Sequence, residues 1–187
     1  MSENKQKLVI VSGSSREASL TIRVALNLSK AFSDKYDVQL VDLRKYRLPF
    51  IESVWQEKSQ APEQFQDLWQ TMNDADAFVL VSPEYNGSYS SALKNLLDHM
   101  PKSAYTRKAM AFVTASPGGL GGVRAAQQLI LLACGLFAVP SPTLLVTPFV
   151  DKKFDTEGNL TDETFAGAIT NFVNDTSWLA HSLKNNR

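Results

Sequence analysis

Strand and helix signals alternate strictly along this chain, and that alternation limits the fold more than any other feature. Short apolar runs at Lys7–Ser12, Tyr36–Leu43, Ala77–Val81, Lys108–Ala115 and Thr143–Thr147 have the length and composition of buried strands. Apolar residues at helical spacing follow each one: Ile22, Ala25, Leu26, Leu28 and Phe32, then Phe65, Leu68, Trp69 and Met72. Leu93, Leu96, Leu97 and Met100 come next, then a stretch from about Val123 to Phe137, and last Phe165, Ile169, Phe172, Val173 and Trp178. Five such units, with no internal repeat and no linker, predict one α/β domain over residues 1–187. The expected architecture is a doubly wound five-stranded parallel sheet with helices on both faces. Arg44–Ala61 has no clear periodicity and reads as a loop, and Asp151–Thr161 reads as a surface excursion.

The order 2-1-3-4-5, the flavodoxin-like one, places a ligand crevice between strands one and three, and the loops after those strands carry unusual chemistry. After the first strand come Ser12, Ser14, Ser15, Arg16, Ser19 and Thr21, with Ser19 or Thr21 as candidate cap of the next helix. Hydroxyls, one guanidinium and a helix start suit a terminal phosphate monoester. One glycine, Gly13, is too few for a dinucleotide fingerprint, and no Gly-Lys-Ser/Thr ending marks a nucleoside-triphosphate loop. After the third strand, Pro83-Glu84-Tyr85-Asn86-Gly87 must turn away from the sheet, and Ser90 or Ser91 can cap the helix beyond. Four glycines within Gly118–Gly122, after the fourth strand, let backbone approach a ligand closely.

Other chemistries are excluded. Lys plus Arg and Asp plus Glu each number 19, so no basic field attracts nucleic acid and no acidic excess marks a docking electron carrier. The first strand ends in Ser12-Gly13 rather than in the acidic residues of a receiver domain. No metal-ligand spacing and no Ser-His-Asp order is present; His99 and His181 read as solvated or helix-surface groups. Cys134, the single cysteine, reads as a small buried apolar group. The apolar run near the start, Leu8–Val11, is too short for a signal peptide, and no run approaches membrane-helix length, so a cytoplasmic location is expected.

Three motifs together resemble the NADPH-dependent FMN reductase family, flavodoxin-fold flavoproteins that include quinone, azo-dye and chromate reductases. They are Gly13-Ser14-x-Arg16-x-x-Ser19; Ser82-Pro83-Glu84-Tyr85-Asn86-Gly87-Ser88 with Leu93-Lys94-Asn95-x-x-Asp98; and Ser116-x-Gly118-Gly119-x-Gly121-Gly122-x-Arg124. The resemblance implies that Ser14, Ser15, Arg16, Ser19, Leu20 and Thr21 bind an FMN phosphate. It further implies that Pro83, Glu84, Tyr85 and Asn86 hold the isoalloxazine ring, and that Ser116, Pro117, Gly118 and Gly119 line its pyrimidine side. Backbone amides around Asn86, Gly87 and Ser88 would stabilise charge on the reduced ring. The chain departs from the family pattern at Thr21, where Asn is common; at Ser90-Ser91, where Pro-Gly is common; and at His99, where Trp is common.

The resemblance implies an FMN-dependent NAD(P)H oxidoreductase passing hydride through flavin N5 by a ping-pong route to a quinone, azo compound, free flavin or similar small acceptor. No side chain is assigned as an acid, base or metal ligand. A homodimer or homotetramer is implied, with no nucleic acid or membrane partner. Phe50, Trp55 and Tyr105 are candidates for shaping an acceptor pocket. A flavodoxin-like one-electron carrier and a cofactor-free binding protein on the same fold are the alternatives.

Overall fold

The computed structural model describes residues 5–184. Five parallel strands, β1 (Gln6–Ser12), β2 (Tyr36–Asp42), β3 (Ala77–Pro83), β4 (Ala109–Ala115) and β5 (Val139–Thr147), form one sheet in the order β2-β1-β3-β4-β5. This is the expected flavodoxin-like topology. Each β3 and β4 residue is buried, which explains why both read as continuous apolar runs rather than as alternating ones.

The pleat divides the core in two. Leu8 and Ile10 of β1 and Val79 of β3 face helices α1 (Thr21–Phe32) and α6 (Ala166–Lys184). Val9, Val11, Phe78 and Leu80 face α2 (Gln66–Asp74), α3 (Ser91–His99) and α4 (Val123–Gly135). Each such buried side chain contributes roughly 1.5–3 kcal/mol relative to exposure, so the sheet is a rigid base for the loops at its carboxyl ends.

Several expectations are corrected. The last strand begins earlier than Thr143, at Val139, and takes in Pro140 and Pro142; an edge strand tolerates them because it pairs only with β4. The stretch 151–161 does run over the surface, but it is anchored rather than loose. It contains α5 (Val150–Lys153), buries Val150 and Phe154 completely, and brings Gly158 so close to α1 that a Cβ there would lie 2.6 Å from Leu26 Cβ. Trp178 is 67% exposed on α6, and Cys134 is exposed on α4. His99 is buried rather than solvated: its ring packs 4.2 Å from that of Trp55, and its Nδ1 lies 2.7 Å from the Asn95 carbonyl. Trp55 and Tyr105 belong to the core and shape no open pocket. Tyr105 donates its hydroxyl to Leu97 O at 3.1 Å, and full burial pushes that hydroxyl's pKa well above its ordinary value. Among the described residues no helix is long and apolar enough to cross a membrane, and no cluster of His, Cys, Asp or Glu could hold a metal.

Candidate functional site

The loops after β1 and β3 are joined as the topology requires. Gly13 N–H donates to Val81 O at 2.7 Å, and a Cβ on Gly13 would sit 2.9 Å from that oxygen and 3.2 Å from Leu93 Cβ, so only glycine lets the loop lie this close. Ser90 donates its hydroxyl to Gly13 O and accepts from Leu93 N–H at 3.1 Å, capping α3 while tying it to the first loop. The Ser14 and Tyr85 hydroxyls are 3.2 Å apart, and the Arg16 guanidinium lies 4.0 Å from the centre of the Tyr85 ring.

A cavity of about 170 Å³ opens between these loops and the exit of β4. Its walls include Ser14, Arg16, Ser19, Leu20 and Thr21 from the first loop, Pro83, Glu84 and Tyr85 from the second, and Ser116 and Pro117 from the third. Ala18 and Ala115 complete it; neither bears a functional group that a sequence reading could seize on. Gly118 and Gly119 lie outside this lining, exposed beyond Pro117, and Ser15 lines a different cavity. The residue preceding α1 is Leu20, not Ser19 or Thr21. Those two hydroxyls instead bond to each other at 2.7 Å, and Thr21 also bonds Ser12 at 3.2 Å, placing three hydroxyls together at the helix start.

Three helix starts meet here, and they differ in how their amides are satisfied. That of α3 is capped by Ser90. That of α4 is capped by Glu84: its Oε2 accepts from the backbone N–H of Arg124 at 3.1 Å and of Ala125 at 3.3 Å, and its Oε1 from Arg124 Nε at 2.7 Å. The Glu84 side chain is only 9% exposed, so the carboxylate belongs to the helix even though the residue lines the cavity. That of α1 has no side-chain cap and no acidic residue in its first turn. An uncapped start flanked by hydroxyls and one arginine has the donors that an anion could use.

Asn86, Gly87 and Ser88 also lie outside the cavity lining. Asn86 and Gly87 have φ of 51° and 80°, and Tyr85 and Ser88 exchange both backbone hydrogen bonds, at 2.9 and 3.1 Å, making a tight hairpin of the primed kind. The Asn-Gly pair signalled it, but read only as a turn it gave no register. The hairpin uses the Ser88 N–H internally, which removes that amide from the group expected to face a ligand, while Asn86 and Gly87 N–H have no acceptor among the described residues. Gln128 of α4, missed in the sequence, braces the hairpin by donating to Gly87 O at 2.9 Å and accepting from the Ser88 hydroxyl at 2.6 Å.

Residues 6–151 match the family model described as NADPH-dependent FMN reductase. The chain belongs to that family. It is 31% identical over 140 residues to the NADPH azoreductase of Bacillus sp. (strain OY1-2), covering 75% of each chain. It is also 31% identical over 165 residues to the NADPH:quinone oxidoreductase of Arabidopsis thaliana, covering 84% of this chain and 83% of the relative. Among solved structures, the flavoenzyme NAD(P)H:(acceptor) oxidoreductase FerB from Paracoccus denitrificans superposes with a TM-score of 0.75 at 24% identity, over 93% of this chain and 97% of that one, which establishes the shared fold. This member of the family is an NAD(P)H-dependent flavin oxidoreductase, and FMN is its cofactor.

Proposed function

We propose that this reductase holds FMN with its phosphate at the start of α1, is reduced by NADPH or NADH, and passes the electrons by a ping-pong route to a quinone, an azo compound or free flavin. The observation that carries the reading is the contrast between helix starts: α3 and α4 are closed by Ser90 and Glu84, and α1 alone of the three is open. The donor set fits the group. The hydroxyls of Ser14, Ser19 and Thr21 can donate to phosphate oxygens, the α1 amides add a partial positive charge, and Arg16 supplies a full one. Arg16, whose guanidinium lies 4.0 Å from the centre of the Tyr85 ring, would supply that charge from the rim of the cavity.

At about 170 Å³ the cavity is below the roughly 300–1,000 Å³ of sites that enclose a whole ligand. It would hold the phosphate and ribityl chain, and Pro83–Asn86, Ser116 and Pro117 would hold the ring. When bound, FMN itself supplies the hydride and two-electron chemistry. The chain's part is to bind, to orient and to place the Asn86 and Gly87 amides where negative charge develops. A homodimer or homotetramer is part of the proposal and is checked by light scattering.

Purification with excess FMN followed by anaerobic titration tests it. A yellow protein bleached by NADPH and re-oxidised by a quinone supports the reading. A yellow protein indifferent to NADPH points to an electron carrier, and one that ignores added FMN removes the assignment.

A further inference from the structure

A separate cavity, of about 390 Å³, lies between α3 and the segment that leaves β2. The first loop separates it from the flavin cradle by one residue: Ser14 lines one cavity and Ser15 the other. The polar residues of the Leu93-Lys94-Asn95-x-x-Asp98 stretch line no part of the cradle, yet all three line this second cavity. Asn95 donates to Pro49 O at 2.7 Å and accepts from Ile51 N–H at 3.2 Å, so the backbone around Phe50 is fixed. Phe50 is nonetheless 91% exposed, a rigidly presented ring at the rim. Tyr46 and Leu48 add an aromatic and an aliphatic wall.

The charges separate cleanly. Arg44 is spent on Asp42, with Nε at 3.0 Å and a terminal nitrogen at 2.7 Å, and Lys94 is paired with Asp98. Arg47 lines the same cavity, is exposed, and makes no ion pair or hydrogen bond among the described residues. An unspent guanidinium beside aromatic walls recognises a planar ring that carries a phosphate monoester.

We infer that this cavity receives the 2′-phosphoadenosine end of NADPH, with adenine against Tyr46 and Phe50 and the 2′-phosphate on Arg47, and that Arg47 sets the preference for NADPH over NADH. The inference rests on the proposed reductase reading and names its reductant. The cavity volume falls within the range of small-molecule sites, and its place beside the cradle suits a ligand whose other end must reach the flavin.

The test compares FMN-loaded wild type with Arg47→Ala, a surface change whose folding is checked by thermal melt and by retained FMN. The ratio of kcat/KM for NADPH to that for NADH should fall at least tenfold, with the loss in the KM for NADPH. Adenosine 2′,5′-bisphosphate should compete with NADPH, and its inhibition constant should rise at least tenfold in the variant, whereas that of 5′-AMP should not. An unchanged ratio, an equal loss with both nucleotides, or a bisphosphate that does not compete overturns the inference. Wild-type FMN that neither nucleotide reduces would instead defeat the reductase reading itself, so the two failures are distinguishable.

Discussion

The start of α1 and Glu84, which closes the start of α4, both line one small cavity, and the two helix starts are finished in opposite ways. At α4 the chain supplies its own anion, Glu84, locked by two backbone N–H groups and the Arg124 side chain. At α1 it supplies hydroxyls, and neither a side-chain cap nor an acidic residue in the first turn. A helix start left open costs stability that a cap would return, about 1 kcal/mol. The difference teaches that the α4 start is a brace for the loop that follows β3, whereas the α1 start is the one that leaves room for the phosphate in the proposed reading.

The contrast can be erased most directly by giving α1 the carboxylate it lacks. Ala18 is exposed and lines the cradle, so Ala18→Asp should weaken FMN binding at least 100-fold, about 2.7 kcal/mol, without lowering the melting temperature. Fluorescence titration and a thermal melt read both halves. The reverse change, Glu84→Ala, leaves the α4 amides and Arg124 without their acceptor. Loss of about 1.5–3 kcal/mol in urea unfolding is expected, together with weaker FMN binding as the hairpin loses its anchor; unaltered stability would mean that the clamp is idle. Arg16→Ala sharpens the comparison rather than abolishing it. FMN affinity should drop about tenfold while riboflavin, which has no phosphate, binds as before.

The smallest effect concerns another start filled by the chain itself, ahead of α6, where Asp162 accepts from Thr164 N–H at 3.1 Å. The Lys153 ammonium, and then the Thr164 hydroxyl, lower the Asp162 pKa from 3.8 to about 2. The folded pKa is depressed, so this contribution is fully present above pH 3.8 and is lost as pH falls toward 2. Asp162→Asn should flatten the fall in urea midpoint across that window, by a modest amount because the group is only partly buried.

The sheet was readable because β3 and β4 are buried on both faces and leave unbroken apolar runs, and because Phe32, Met72 and Leu97 keep helical phase. What escaped were features set by distant partners. Nothing local distinguishes Trp178, exposed, from Phe172, buried, since both fall within one helix whose inner stripe is fixed only by the sheet it meets. His99 looked like a surface group until the segment 44–61 folded Trp55 over it. At the site, Ser14, Arg16 and Tyr85 were legible as chemistry. Glu84 was legible as a member of the ring loop but not as the cap of a helix 40 residues on, because a carboxylate's partner is decided by tertiary placement. Ser15 was assigned with Ser14, yet successive residues in an extended loop point to different sides, and the two serines border different cavities.

The hydroxyl of Ser90 reaching the carbonyl of Gly13 joins the third strand's helix to the first strand's loop. The spacing of the two loops is therefore set by a helix cap, and a change that disturbs one loop is carried to the other through that single hydroxyl.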